Sequence, residues 1–102
     1  MEKTRDRILI TDDEENVRSL FKKLLEKEGY EVDCAPSGED ALEKLGQEWF
    51  DLVLTDLRMP GMSGLELMRR GKMLNPSLPF LILTAFGTVH SAVTAVKEGA
   101  YD

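Results

Sequence analysis

Three short, largely apolar runs, at residues 8–10, 52–55 and 80–83, and a short strand-like stretch at 32–35 alternate with segments whose apolar residues recur at helical spacing. In the first such segment Val17, Leu20, Phe21, Leu24 and Leu25 share one side, Lys and Glu lie between them, and Gly29 stands as the stop. Ser37 with Asp40 three positions on forms a capping box ahead of Ala41, Leu42 and Leu45. A second box, Ser63 with Glu66, opens a helix through Leu67 and Met68 that Asn75 and Pro76 end. Gly71 inside that helix should weaken it by about 1 kcal/mol relative to Ala. The run at 80–83 is wholly apolar, as in a strand covered on both faces. Thr88 then caps a fourth helix carrying Val89, Ala92, Val93 and Val96, closed by Gly99. Strands alternating with helices pair in parallel through right-handed crossovers, so the expected class is α/β, a doubly wound parallel sheet of order 2-1-3-4.

In such sheets ligands bind beyond the carboxyl ends of the strands, where the strand order reverses, here between strands one and three. Asp12 and Asp13 follow the first run, Asp56 ends the third, and Thr84 is the first polar residue after the fourth. Adjacent strands lie about 5 Å apart, so these carboxylates come within reach of one another. Like charges that close raise each other's pKa unless a cation sits between them, and a hard divalent ion, Mg2+ or Ca2+, with oxygen ligands is the simplest relief. The plainer reading makes Asp13 a helix N-cap ahead of Glu14 and Glu15, with Asp12 and Asp56 merely ending strands.

The chain has 102 residues, 42% of them hydrophobic and 31% charged, enough for one domain, 1–102, to bury a core without staples. Its formal net charge of -6 argues against nucleic-acid or anionic-membrane surfaces. The N-terminus passes directly into an apolar run without a cleavage-like region, and no stretch is long enough to span a bilayer, which reads as cytoplasmic. A single cysteine, Cys34, between Asp33 and Ala35, has no internal disulfide partner and is expected as a small buried hydrophobe. Lone His90 reads as surface or packing, Trp49 and Phe50 as closing the core edge, and Met59, Met62, Met68 and Met73 as gap-fillers. Lys22, Lys23, Lys27, Glu26 and Glu28 read as a solvated helix face.

Three stretches carry a resemblance: Thr11-Asp12-Asp13-Glu14, residues 54–64, and Leu83-Thr84-Ala85. In order and spacing they resemble the signatures of receiver domains in two-component response regulators, which have the flavodoxin-like, CheY-like fold. Residues 84–88 and 97–102 further resemble receivers of sigma-54-dependent enhancer-binding activators, the NtrC-like group. The resemblance implies that Asp56 accepts a phosphoryl group from a phosphohistidine of a partner histidine kinase. It implies Mg2+ as cofactor, held by Asp13 directly, by Asp12 mainly through water, by Asp56 and by the backbone carbonyl of Arg58. Thr84 would turn its hydroxyl onto a phosphoryl oxygen as the switch residue, and small Ala85 would leave access to Asp56. Arg58 and Phe86 occupy the positions that influence loss of the phosphoryl group, although Arg58 reads equally as a solvated loop cation.

Receivers normally continue into a switch aromatic, a phosphate-binding lysine and proline, a fifth strand and a fifth helix, whereas this sequence stops at Asp102. Lys97 lies in the fourth helix and Tyr101 two positions before the switch aromatic, so neither fills those roles. With no fifth strand, strand four becomes an edge, and either self-association through it, as a homodimer, or marginal stability is expected. Two functions are therefore expected: a Mg-dependent phosphoacceptor that switches a transcriptional output, or a binding module that holds metal and partners without usable phosphorylation. A nucleotide binder would want a phosphate cradle where Asp12, Asp13, Glu14 and Glu15 stand, and an aspartyl-phosphate phosphatase would want a second acid where Arg58 stands.

Overall fold

In the computed structural model the described residues are 6–83 and 89–98. Strands β1 (Arg7–Thr11), β2 (Glu31–Ala35), β3 (Leu52–Asp56) and β4 (Phe80–Leu83) alternate with helices α1 (Glu15–Lys27), α2 (Gly38–Gln47), α3 (Gly64–Leu74) and α4 (Val89–Glu98). The strands form one all-parallel sheet in the order β2-β1-β3-β4, as expected. β1 is central: Ile8 stands beside Val32 on one side and Leu52 on the other, and Thr11 beside Ala35 and Thr55.

Alternate residues of a strand point to opposite faces, and this divides the core in two. Ile8, Ile10, Val32, Leu52 and Leu54 pack on one face against Phe21 and Leu25 of α1 and Ala92 and Val96 of α4. On the other face Leu9, Ala35, Val53 and Phe80 pack against Ala41 of α2 and Leu67 of α3, with Phe50 and Leu78. Both sides of β1 and β3 are thus dry, which is why their sequences read as continuous apolar runs.

Helix ends follow their local chemistry. Ser37 Oγ accepts from the Asp40 N–H at 3.1 Å and Ser63 Oγ from the Glu66 N–H at 3.1 Å. Glu66 spends its own carboxylate on Arg69 Nη1 and Arg70 Nε, both at 2.8 Å. α1 stops where Gly29 turns left-handed at φ +97°, with Tyr30 N–H donating to Leu25 O and Gly29 N–H to Glu26 O.

Five expectations need correction. Gly71 is more than a weak spot in α3: a Cβ there would lie 2.6 Å from Phe80 Cζ, so the glycine lets the helix approach β4. β4 is not covered throughout; Phe80 is buried but Leu81, Ile82 and Leu83 are half-buried, and β3 is its only strand partner among the described residues. Trp49 does not close the core edge: it is 63% exposed, its indole N–H on Asp51 Oδ1 at 3.2 Å, while Phe50 alone is buried. Met73 fills no gap, being 83% exposed. Cys34 is half-buried, and burial above all raises its pKa. Thr88, Gly99, Tyr101 and the side chain of His90 lie outside the described residues.

Candidate functional site

The register that pairs Thr11 with Thr55 delivers the next residues of both strands, Asp12 and Asp56, to the same end of the sheet. There Asp12, Asp13 and Asp56 each offer a carboxylate oxygen, and the three oxygens lie within 4.8 Å of one another. Asp12 is buried, Asp56 half-buried and Asp13 exposed, so the cluster opens to solvent on one side. Burial above all raises the Asp12 pKa; the Glu14 N–H opposes this, and the charges of Asp56, Asp13 and Glu14 add to it.

The N-cap reading of Asp13 does not hold. Glu14 occupies the N-cap of α1 with no side-chain cap bond, and its N–H donates to Asp12 Oδ1 at 2.9 Å. Asp12 is held at two further points: its N–H donates to Ala35 O at 3.3 Å, and its carbonyl accepts from Arg18 Nη1 at 2.7 Å. Asp56 is held through its backbone. Its carbonyl accepts from Thr55 Oγ1 at 3.0 Å, and Leu57 N–H continues the β4 pairing onto Leu83 O at 2.8 Å. Gly64, the first residue of α3, donates to Leu57 O at 2.9 Å, and a Cβ on it would sit 2.2 Å from Asp56 O.

Arg58 is exposed in the loop that follows Asp56. Thr84, Ala85 and Phe86 lie outside the described residues. Arg18 was not singled out from sequence, and Gly64 and buried Thr11, whose Oγ1 has no hydrogen-bond partner among the described residues, stood in the quoted stretches without a role of their own. Arg18 follows Asp12 by six positions, in the first turns of α1, and that spacing was the available signal.

The donor set suits a hard cation. An octahedral ion at about 2.1 Å from its ligands spaces their oxygens about 3–4 Å apart, and three carboxylate oxygens within 4.8 Å of one another are close to that spacing, with room for water between ion and protein. All donors are oxygens, and the burial and neighbouring negative charges that push the Asp12 pKa up are of the kind a cation offsets.

A family model, the response regulator receiver domain, matches residues 8–102. The transcriptional regulatory protein ZraR of Salmonella typhimurium is 45% identical over 95 residues; the match covers 93% of this chain and 22% of that protein, so the chain spans about a fifth of this relative's length. The response regulator TrrA of Thermotoga maritima, solved in complex with Mg(2+)-BeF, superposes with a TM-score of 0.76 at 41% identity, covering 89% of this chain and 79% of that one. A structure of the histidine kinase ThkA in complex with TrrA matches with a TM-score of 0.75 at 43% identity, covering 81% and 72% of the respective chains. A parallel 2-1-3-4 sheet, an acidic triad at its switch point and a family match over nearly its full length lead to one assignment: the chain belongs to the response regulator receiver domain family.

Proposed function

We propose that this receiver accepts a phosphoryl group on Asp56 from a phosphohistidine of a partner histidine kinase, with Mg2+ held by Asp12, Asp13, Asp56 and the backbone carbonyl of Arg58. The observation that carries the reading is the convergence of the three carboxylates at the carboxyl ends of two adjacent strands. Asp13 and Asp56 supply direct ligands and the buried Asp12 acts mainly through water. Bound there, Mg2+ supplies the positive charge that lets three carboxylates and an incoming phosphoryl group coexist.

The chain's own contribution is positioning. A carboxylate is a weak nucleophile, and phosphoryl transfer requires an in-line approach more than a strong base. The Asp56 backbone is fixed by the end of β3, by Thr55 and by the α3 start beneath it, which sets where its side chain leaves the sheet. An Asp56 oxygen forms the new bond to phosphorus while the phosphorus–nitrogen bond breaks, and the departing imidazole takes a proton from solvent. The acyl phosphate carries about -2 where the carboxylate carried -1, so the product adds about one negative charge at an already acidic point, which makes the modified state distinct in energy from the parent. Thr84 then offers its hydroxyl to a phosphoryl oxygen as the switch. On this reading the chain catalyses only its own phosphotransfer and dephosphorylation.

The kinase partner is supported by the ThkA–TrrA complex, and a transcriptional output by ZraR and by the C4-dicarboxylate transport transcriptional regulatory protein DctD of Rhizobium meliloti, 37% identical over 95 residues. An output of the sigma-54-dependent kind and a cytoplasmic location belong to the same proposal. Among the described residues no helix is long and apolar enough to cross a membrane. Homodimerisation through the β4 edge is part of it too, supported by that strand's half-buried apolar residues, and sedimentation showing only monomer at high concentration overturns it.

The test is incubation with a small phosphodonor such as acetyl phosphate, with and without Mg2+, beside Asp56→Asn. One added phosphoryl group by intact-mass spectrometry, in the parent with Mg2+ only, supports the reading. Equal labelling of Asp56→Asn rejects it. Mg2+ binding without any labelling favours the binding module.

A further inference from the structure

The metal-binding reading leaves one question of stability at the site: what keeps Asp12 and Asp13 in place when their charges repel each other and Asp56. Asp12 is fixed at its N–H by Ala35 O, at Oδ1 by the Glu14 N–H and at its carbonyl by Arg18 Nη1. The Arg18 bond, at 2.7 Å, is the shortest of the three and the only one with a charged donor. It is also the only one of the three made by a side chain of another element. The Arg18 backbone lies near β2, its carbonyl 4.0 Å from Cys34 Sγ, and the Asp12 N–H itself donates to Ala35 O in β2, whereas Asp56 lies on the other side of β1 in β3.

We infer that Arg18 is a positioning residue for the acidic site: by holding the Asp12 carbonyl, it orients the Asp12–Asp13 peptide so that both carboxylates meet Asp56. This inference rests on the divalent-cation reading of the cluster. The guanidinium takes one lone pair of the Asp12 carbonyl oxygen and fixes its direction. It also sets where the peptide enters α1, and with it the Glu14 N–H that fixes Asp12 Oδ1. Among the described residues Arg18 makes no ion pair with any of the three acids, so its action passes through the backbone.

The sign of the effect separates positioning from simple electrostatics. Removing a cation near a divalent-ion site tightens metal binding on Coulomb grounds. Removing an outer-shell partner that orients the ligands weakens it, by about 10-fold to 100-fold where such partners have been deleted.

The experiment is calorimetric titration of Mg2+ alone into the parent, Arg18→Met, Arg18→Lys and Lys44→Met, with hydrogen exchange of the Glu14 amide in metal-free buffer. Lys44→Met removes a half-buried ion pair with Asp33 and controls for general destabilisation. The expected result is about 10-fold weaker Mg2+ binding in Arg18→Met, partial recovery in Arg18→Lys, no change in Lys44→Met, and faster Glu14 exchange in Arg18→Met. Unchanged or tighter binding in Arg18→Met overturns the inference, as does an equal loss in Lys44→Met. A parent that binds no Mg2+ refutes the metal reading instead, and the Glu14 amide then decides: unchanged exchange in Arg18→Met overturns the positioning role as well.

Discussion

Gly64→Ala puts a methyl group where α3 meets the end of β3. The new Cβ would stand 2.2 Å from the Asp56 carbonyl oxygen, 3.0 Å from the Asp56 carbonyl carbon and 3.1 Å from Leu57 Cα. Ordinary contact begins at 3.4 Å, so helix and strand must part by roughly 1 Å, and both obstacles are backbone rather than the tip of a flexible side chain. Overpacking of this kind costs about 1–3 kcal/mol. Disturbing the Gly64 N–H bond to Leu57 O adds about 0.5–1.5 kcal/mol, while the better helix propensity of Ala returns at most about 1 kcal/mol. The net expectation is a loss of about 1–3 kcal/mol, or about 5–20 °C in Tm for a domain of this size. Urea and thermal unfolding measure it, with Gly46→Ala as the contrast: a Cβ at Gly46, in the last turns of α2, meets nothing within 4 Å, so that variant should gain up to about 1 kcal/mol. Mg2+ titration supplies the second readout, since moving Asp56 should weaken binding in Gly64→Ala and leave it unchanged in Gly46→Ala. A Gly64→Ala protein as stable as the parent, with parental Mg2+ affinity, refutes the reasoning.

The other substitutions probe charge and burial. Because burial, Asp56 and Asp13 raise the Asp12 pKa above its ordinary 3.8, the folded chain takes up that proton first; in metal-free buffer this group's penalty is full above its folded pKa and is relieved as pH falls through it towards 3.8. Asp12→Asn should therefore be more stable than the metal-free parent at neutral pH, by unfolding, and bind Mg2+ more weakly. Asp33 has the opposite sign: burial pushes its pKa up, but Lys44 at 3.0 Å and the Cys34 N–H outweigh that and lower it. Its stabilisation is present above the ordinary 3.8 and is lost as pH falls through the folded value, so Asp33→Asn should narrow its gap to the parent in acid, measured by urea unfolding across pH. Thr11→Val replaces a buried hydroxyl without a described partner by a methyl of similar size and should raise stability by up to about 1 kcal/mol, read by urea unfolding.

The order of strands, the helices and the acidic cluster were legible because each is written locally or by alternation. Short apolar runs mark strands buried on both faces, Ser37, Ser63 and Gly29 mark helix ends, and carboxylates at two strand ends meet once the strands are neighbours. What was not legible depends on pairs far apart in sequence. Gly71 looked like a defect because its reason, the Phe80 ring, belongs to the next strand. Trp49 looked like core, yet Arg7 takes the inner place. Its guanidinium lies 4.7 Å from the Phe50 ring centroid and donates to Trp49 O at 2.8 Å, and it pairs with Glu31 and Glu48, leaving the indole outside. Asp13 resembled an N-cap, but α1 begins one residue later, with Glu14 at the cap, which leaves Asp13 outside the helix and in the cluster.

The central claim, that Asp56 is the phosphoryl acceptor, is tested most directly by locating the modification. After treatment with Mg2+ and acetyl phosphate, borohydride reduction converts an aspartyl phosphate to a primary alcohol, and tandem mass spectrometry finds the altered residue. The account predicts a single reduced position at Asp56, absent without Mg2+ and absent in Asp56→Asn. Reduction at another acid in the parent, with Asp56 unmodified, contradicts it.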